Sequence, residues 1–348
     1  MMGEASASPF LLQNAGTMSR NSKKRSYNLF WKSAYFVLIA LGILILWYAT
    51  KEVEYVWRWY RVPNYFIADV EVNIRAEIEG EVARIERSGE TVNITVAGRD
   101  GLAETYPAPA GDVRVYEGDF IFPGDILASY EETRPGILLQ GLWLTLKVSF
   151  IAIAFGILIG LLGGLARVSR NPCLRWLSIT YIEFIRGSPL LVQIYLWYFV
   201  FGTIINNLLA EQGFSPISSL WYGVASLAIF AGAYVAEIVR AGIQSIHRGQ
   251  TEAAQSLGMN YVQSMVHVIL PQAMRRILPP LAGQFISLIK DSSLLGIIAI
   301  RELTKATREV VTTSLQPYEL WFVCAVLYLI LTFSLSMFVQ YLERRTVI

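Results

Sequence analysis

Unbroken apolar stretches occupy residues 31–50, 138–166, 176–205, 219–241, 275–300 and 319–341. Each reaches the roughly 20 residues that a helix needs to cross a bilayer, so the pattern predicts about six membrane-spanning helices. Between the first two stretches the period changes. Residues 66–130 alternate apolar and polar positions, as in Val70-Glu-Val-Asn-Ile-Arg75 and Val92-Asn-Ile-Thr-Val96, with Gly-Arg-Asp-Gly and Pro-Ala-Pro-Ala-Gly as punctuation. That period of two predicts a small β-rich domain within residues 51–132. The first apolar stretch is long and is followed by no small-residue cleavage site, which predicts a permanent anchor at 31–50 behind a disordered cytoplasmic tail at 1–30. Residues 133–348 form the predicted transmembrane domain.

Composition agrees: of 348 residues, 54% are hydrophobic and 16% charged, outside the range of a soluble domain. Charge then sets orientation. Arg20, Lys23, Lys24 and Arg25, the loop residues Arg167, Arg170 and Arg175, then Arg240, Arg248, Arg275 and Arg276, and finally Arg344 and Arg345 all fall on one side of six spans. By the positive-inside rule that side is cytoplasmic, with both termini inside. Residues 51–132 then lie outside, and they carry 17 Asp and Glu against 8 Lys and Arg, a net of minus nine.

The reactive residues are few. The two cysteines, Cys173 beside a cytoplasmic loop and Cys324 within the last span, cannot staple the outer segment, and the two histidines, His247 and His267, both lie in one polar region between spans. No metal site or histidine-based triad can be assembled within the membrane, and no enzyme site is visible. A glycine-rich loop ending in Gly-Lys-Ser/Thr is also absent, so any ATP and Mg must be bound by another subunit.

The polar loop at 248–271 reads Glu252-Ala-Ala-Gln-Ser-Leu-Gly258, then nine residues, then Val268-Ile-Leu-Pro271. Helix formers from Thr251 to Gln263, with Thr251 or Gln250 as cap and Gly258 as a turn, predict a short helix too polar to span. Such a helix offers a partner groove Ala253, Ala254, Leu257 and Met259 as apolar contacts and Glu252 as a charged edge, and Pro271 starts the next membrane helix. Within the spans, Glu183 with Arg186 and Glu237 with Arg240 are three apart, so each pair shares a helix face and is expected to neutralise itself in a structural or gating role. Arg186-Gly187-Ser188-Pro189 is a candidate helix break, and Gly156, Gly160, Gly163 and Gly164 permit close helix approach. Asp291 shares a face with Gln284 and Ser287, a polar stripe suited to an amino group and other polar parts of a substrate. Asp291 is equally suited to capping a broken helix through the amides of Ser292 and Ser293.

The loop resembles the cytoplasmic signature loop of ABC-transporter permeases. So do blocks in the same order: Pro135 with Gly141-Leu-Trp-Leu-Thr-Leu-Lys-Val-Ser149, Tyr181-Ile-Glu-Phe-Ile-Arg-Gly-Ser-Pro-Leu-Leu-Val-Gln193, Gly232-Ala-Tyr-Val-Ala-Glu-Ile-Val-Arg-Ala-Gly-Ile-Gln-Ser-Ile246 and Lys290-Asp-Ser-Ser-Leu294. They are similar to the polar-amino-acid uptake permeases, over about 210 residues from Pro135. The resemblance implies an all-α polytopic membrane protein of the type I ABC importer permease fold, with the β-domain added. It implies a permease subunit that forms the pathway and meets ATPases through Glu252, Ala253, Ala254, Leu257, Gly258 and Pro271. Its implied partners are a cytoplasmic ABC ATPase dimer that binds ATP and Mg, a second permease copy or homologue, an external substrate-binding protein, the bilayer and an amino acid. Nothing implies nucleic acid. Typical members have five spans and begin outside, so the first helix and β-domain are departures. Within the β-domain, Tyr116-Glu-Gly-Asp-Phe-Ile-Phe-Pro-Gly-Asp-Ile-Leu-Ala128 resembles the paired Gly-Asp hairpin of biotinyl and lipoyl-like barrel-sandwich domains, without a lysine at a hairpin tip; a spacer or docking module is the expectation. An ion-coupled secondary transporter and a membrane scaffold presenting the β-domain are the alternative functions.

Overall fold

The computed structural model describes residues 9–89, 91–98, 101–109 and 112–346. The chain divides into two units, the first ending at Trp57 and the second starting at Arg58. The first unit is one helix, α1 (Pro9–Glu52), whose apolar part runs Leu29–Glu52. The expected disordered tail is therefore corrected for residues 9–30, which continue the anchor helix; residues 1–8 lie outside the described residues. The physical reason is that residues 17–30 hold neither proline nor glycine, so nothing in that stretch stops a helix propagating from the apolar run. The helix stops before Glu54, which takes a left-handed backbone (φ 51°).

The second unit opens with a 3-10 turn at Trp59–Tyr65 and passes into the β-domain. Its first strand, β1 (Ile67–Arg75), pairs antiparallel with its last, β7 (Ile126–Pro135), from Ile67 opposite Pro135 inward. A two-residue strand, β5 (Asp112–Val113), extends this sheet on the far side of β7. The second sheet has the order β4 (Ala103–Pro109), β3 (Thr91–Gly98), β2 (Gly80–Ser88), β6 (Phe120–Ile121). Both sheets feed one core, with Val82, Val92, Ile94 and Val96 from one and Leu127 and Ala128 from the other; the alternation read from the sequence is the buried one along Val92–Val96, whereas Val70 on β1 is exposed. The two Gly-Asp motifs form equivalent turns. Gly118 (φ 94°) and Gly124 (φ 100°) supply left-handed residues, while Asp119 Oδ2 accepts from the Tyr116 amide at 2.7 Å and Asp125 Oδ2 from the Phe122 amide at 2.8 Å. Each turn is tied to the same kind of partner. The Gly118 amide donates to Val82 O and the Gly124 amide to Ala76 O, and the Asp119 and Asp125 carbonyls accept from the Val82 and Ala76 amides in return.

Strand β7 runs through Gly136 into α2 (Ile137–Val168), the first helix of the bundle. A Cβ at Gly136 would lie 2.3 Å from Tyr65 O, so only glycine lets the entering and leaving strands of the β-domain cross there. The rest of the bundle is α3 (Pro172–Gly187), α4 (Leu190–Tyr195) leading through a π-turn at Leu196–Gly202 into α5 (Thr203–Glu211), α6 (Ser219–Gln244), α7 (Arg248–Ser256), α8 (Tyr261–Ser264) leading through a π-turn at Met265–Ile269 into α9 (Leu270–Asp291), a 3-10 segment at Ser292–Ile298, α10 (Leu303–Ser314) and α11 (Pro317–Thr346). Among the described residues six helices are long and apolar enough to cross a membrane: Leu29–Glu52, Ile137–Val168, Leu190–Glu211, Ser219–Gln244, Tyr261–Ile298 and Pro317–Tyr341.

Two predicted spans are corrected. The third was expected at 176–205, but Pro189 forces Ser188 into an extended conformation (φ −115°, ψ 146°), which separates α3 from the span that starts at Leu190. Buried Gln193 holds the break, donating through Nε2 to the carbonyl of Ile185 at 2.7 Å and to Ser188 Oγ at 2.9 Å. The fifth span starts at Tyr261 rather than 275, because the π-turn ahead of Pro271 absorbs the missing amide and lets one helix continue through the proline.

The core axis is α2 against α6. Gly156, Gly160 and Gly164 form a ridge one residue wide every four positions, and added Cβ atoms there would lie 3.0 Å from Ala231 Cβ, 2.4 Å from Val235 Cβ and 2.6 Å from Val239 Cβ. At the far end, the strap before the β-domain is fixed to α11: the Arg58 amide donates to buried Glu319 Oε1 at 2.6 Å and Trp59 packs edge-on to Phe322 at 6.1 Å. Buried Glu302 caps α10, accepting from the Thr304 and Lys305 amides at 2.8 and 2.7 Å and from the Tyr328 hydroxyl of α11 at 3.0 Å. Burial pushes the Glu302 carboxyl above the usual carboxylate range, against the pull of those donors. Gly160→Leu is expected to overpack the α2–α6 contact by about 1–3 kcal/mol or more. Gly187→Ala, at a glycine with nothing within 4 Å of a new Cβ, is expected to leave stability within about 0.5 kcal/mol. Thermal midpoints of the detergent-solubilised chain, read by fluorescence-detected gel filtration, check both.

Candidate functional site

Helix α7 is the polar helix of the signature loop, but it starts at Arg248 and not at Thr251, and it ends at Ser256 rather than Gln263. His247 is its cap: Nδ1 accepts from the Gly249 amide at 3.1 Å, a role the sequence assigned to Thr251 or Gln250. Gly258 (φ 82°) supplies the left-handed turn that the sequence anticipates. Asn260 and Gln263 then form a reciprocal capping box that starts α8, which is why the helix does not run on to 263.

The six residues expected at a partner surface do not all face out. Glu252, Ala253, Leu257, Gly258 and Pro271 are exposed, and Leu257 at 81% is the most exposed large apolar side chain of the chain's described residues. Ala254 is buried, which corrects its assignment as a contact; it fastens α7 to the bundle. The helix is also tied to the span behind it. Gln272 Nε2 donates to Gln250 Oε1 at 3.1 Å, while Arg276 Nη1 of the same span donates to the carbonyl of Ser245, the residue that ends α6. Tyr261 is clasped from the α2–α3 loop, with the Arg170 guanidinium 4.6 Å from its ring centre.

The intramembrane charges form a different cluster from the one expected. Glu237 and Arg240 pair along α6, as their spacing predicts. Glu183 and Arg186 do not pair with each other. Arg167, at the end of α2, reaches between α3 and α6 and meets Glu183 at 3.7 Å and Glu237 at 3.5 Å, while Arg186 lies over the Tyr234 ring at 5.2 Å. An interhelical cation thus outcompetes the i,i+3 neighbour, because α2 and α6 approach closely along the glycine ridge. Arg167 was legible only as a loop charge; its place two residues inside an apolar helix end was the signal for a different role. Arg186, Tyr234, Glu237, Ser245, Arg276 and Pro280 line an open cleft of about 450 Å³.

Gln284, Ser287 and Asp291 lie on one face of α9, all half-buried, while Lys290 is exposed. The helix does not break at Asp291. The backbone continues as the 3-10 segment Ser292–Ile298, and the Asp291 side chain makes no capping hydrogen bond to it, which rules out the capping alternative. Ser292 Oγ instead donates back to the carbonyl of Ile289 at 2.7 Å.

Residues 152–348 match the family described as the binding-protein-dependent transport system inner membrane component. The chain is 39% identical over 207 residues to the probable glutamine ABC transporter permease protein GlnM of Bacillus subtilis (strain 168), covering 60% of this chain and 92% of that one. It is 39% identical over 209 residues to the glutamine transport system permease protein GlnP of Escherichia coli (strain K12), covering 60% and 92%. Its structure resembles a crystal structure of an amino acid ABC transporter with histidines, at 38% identity and a TM-score of 0.53, over 60% of this chain and 94% of that one.

Exposure separates the two Arg167 pairs: the Glu237 side chain is 22% exposed and that of Glu183 is 68% exposed. Double-mutant cycles are expected to give a coupling of about 1–3 kcal/mol for Arg167 with Glu237 and below about 1 kcal/mol for Arg167 with Glu183. Thermal unfolding of the Ala and Gln variants in one detergent measures both.

Proposed function

Because this chain belongs to the family of binding-protein-dependent transport system inner membrane components, we propose that it lines half of an amino-acid pathway and carries into it the motion of a cytoplasmic ATPase dimer. It is the permease subunit of an amino-acid ABC importer, a polytopic inner-membrane protein that moves solute rather than catalysing a reaction. The finer reading concerns substrate, sidedness and partners. Both relatives are named as glutamine permeases, so a polar amino acid of that size is the first substrate to test. The positive loop charges support a reading with α7 and both termini in the cytoplasm and the β-domain outside. A second permease copy or homologue completes the pathway, the ATPases bind ATP and Mg, and an external binding protein delivers substrate. The β-domain is an outer spacer or docking module.

The observation that carries this reading is the contact of α7 with the foot of α9, where Gln272 meets Gln250. The exposed edge of α7, made by Glu252, Ala253 and Leu257, sits beside the foot of the helix that presents Gln284, Ser287 and Asp291. ATP closure of the ATPase dimer drags α7 with its groove, and the Gln250–Gln272 contact passes that displacement to α9, whose Arg276 is held on the end of α6 at Ser245. The half-buried stripe meets the substrate: Asp291 takes its amino group, and Gln284 and Ser287 its polar parts. Glu183, Arg186, Glu237 and Arg240 at the cleft below act as a gate, with the Gly187-Ser188-Pro189 break as its hinge. Neither an ion-coupled transporter nor a scaffold has a use for the exposed Leu257 edge.

The test is copurification of the chain with its membrane partners, then ATPase measurement in nanodiscs with the binding protein and a panel of amino acids. An associated ATPase stimulated by one polar amino acid is expected; a chain that carries no ATPase overturns the reading. Leu257→Asp is expected to weaken ATPase association about thirtyfold while the chain stays folded, since Leu257 packs against nothing in its own chain. Asp291→Ala is expected to leave the complex assembled and to cut amino-acid-stimulated turnover about tenfold or more. Unchanged stimulation removes Asp291 from the pathway.

A further inference from the structure

The outward faces of α2 and α3 enclose a groove of about 590 Å³, lined among others by Ile159, Leu162, Ala166, Leu174 and Leu177. Its polar atoms are already engaged. Ser178 Oγ donates to the carbonyl of Gly163 at 2.7 Å and the Tyr181 hydroxyl donates to the carbonyl of Ile229 at 2.6 Å, so the groove presents hydrocarbon and asks for no hydrogen bond. Its length is informative. From Ile159 to Ser169 the α2 wall runs ten residues, about 15 Å at 1.5 Å per residue, which is half the roughly 30 Å hydrocarbon core of a bilayer.

The charge lies at one end only. Arg170 follows Ser169 and Arg175 follows Leu174, and both are exposed; the Arg170 guanidinium stacks on Tyr261, which leaves its N–H donors in the plane of the group unused, and among the described residues neither arginine has a carboxylate partner. Arg167 is not available for the same purpose, since it is turned inward between Glu183 and Glu237. Trp176, 67% exposed beside them, is the residue type that settles at the headgroup level.

We propose that this groove is a binding site for one phospholipid with an anionic headgroup, an acyl chain lying along α2 and α3 and the headgroup phosphate held by Arg170 and Arg175. The site needs only that the chain be embedded in a bilayer, so it goes beyond the transport reading and stands apart from it. The groove is one leaflet deep, apolar along its length and cationic at its interfacial mouth, which matches a lipid in both dimension and charge. A bound lipid would fill the outer side of the α2–α3 hinge ahead of the Ser188-Pro189 break.

Native mass spectrometry of the assembled permease complex released from nanodiscs of phosphatidylcholine, with or without phosphatidylglycerol, tests this. The wild-type complex is expected to retain phosphatidylglycerol in preference to phosphatidylcholine. Arg170→Gln and Arg175→Gln are each expected to lower that preference by about fivefold, the reach of one surface cation on an anionic headgroup. Leu162→Trp fills the groove and is expected to lose the retained lipid, whereas Leu158→Trp, one turn away on the same helix and outside the groove, keeps it. Both positions are exposed, at 63% and 56%, so both variants are expected to fold, which their gel-filtration profiles verify. Equal lipid retention in the two tryptophan variants overturns the site. So does an unchanged headgroup preference in the arginine variants, or a cysteine cross-link showing that α1 occupies the groove.

Discussion

The contact on which the bundle depends is the approach of α2 to α6 along Gly156, Gly160 and Gly164. Water does not drive helices together inside a bilayer, because lipid tails are as apolar as leucine, so association rests on van der Waals packing at short range. Val235 and Val239 occupy the space that Cβ atoms at Gly160 and Gly164 would need, and this brings α6 into the centre of the unit. Much else follows from that closeness. Arg167 reaches two carboxylates on two other helices because α2 ends against α6, and Tyr181 reaches the carbonyl of Ile229 for the same reason. A one-residue change in the ridge would move the charge cluster as well as the core.

Around that rigid axis the other helices are interrupted, and each interruption is supplied with a substitute for the hydrogen bond it loses. At Ser188-Pro189 the substitute is Gln193, whose Nε2 is shared between the Ile185 carbonyl and Ser188. At Pro271 it is a π-turn, and at α10 it is the Glu302 carboxyl, which takes two amides and a tyrosine hydroxyl. A helix broken without such partners would leave bare backbone in hydrocarbon. A transport subunit benefits from this arrangement, since segments that meet at satisfied breaks are able to pivot without exposing polar backbone to lipid.

The β-domain is inserted rather than appended. Its first and last strands are paired from Ile67 and Pro135, so the excursion leaves and rejoins the bundle at one place, where Gly136 lets two backbones cross. The strap at Arg58 and Trp59 is held on α11, the helix whose Tyr328 bonds Glu302. The β-domain is thereby joined to the first and last helices of the bundle, α2 and α11, and an insertion of this kind leaves the topology of the following helices unchanged.

The sequence by itself determined the number of spans, the presence of the β-domain, the glycine ridge and the turn at Gly258, because each depends on period, length or backbone freedom, which are local. It also determined the family, through short ordered blocks. It misplaced the ends of α7 and of the third and fifth spans, and it carried a disordered tail into residues that continue α1, since helix ends depend on caps and on what a proline meets. Only the tertiary structure decided which charges pair. Glu183 and Arg186 satisfy the spacing for a helix pair, yet the partner of Glu183 is Arg167, sixteen residues away and on another helix. The same holds for Ala254, turned inward while Leu257 is turned out, and for Asp291, left uncapped on the face of Gln284 and Ser287. Spacing along a helix says which side chains share a face, but which face meets protein, lipid or an open pathway is fixed by the neighbours that close packing brings in.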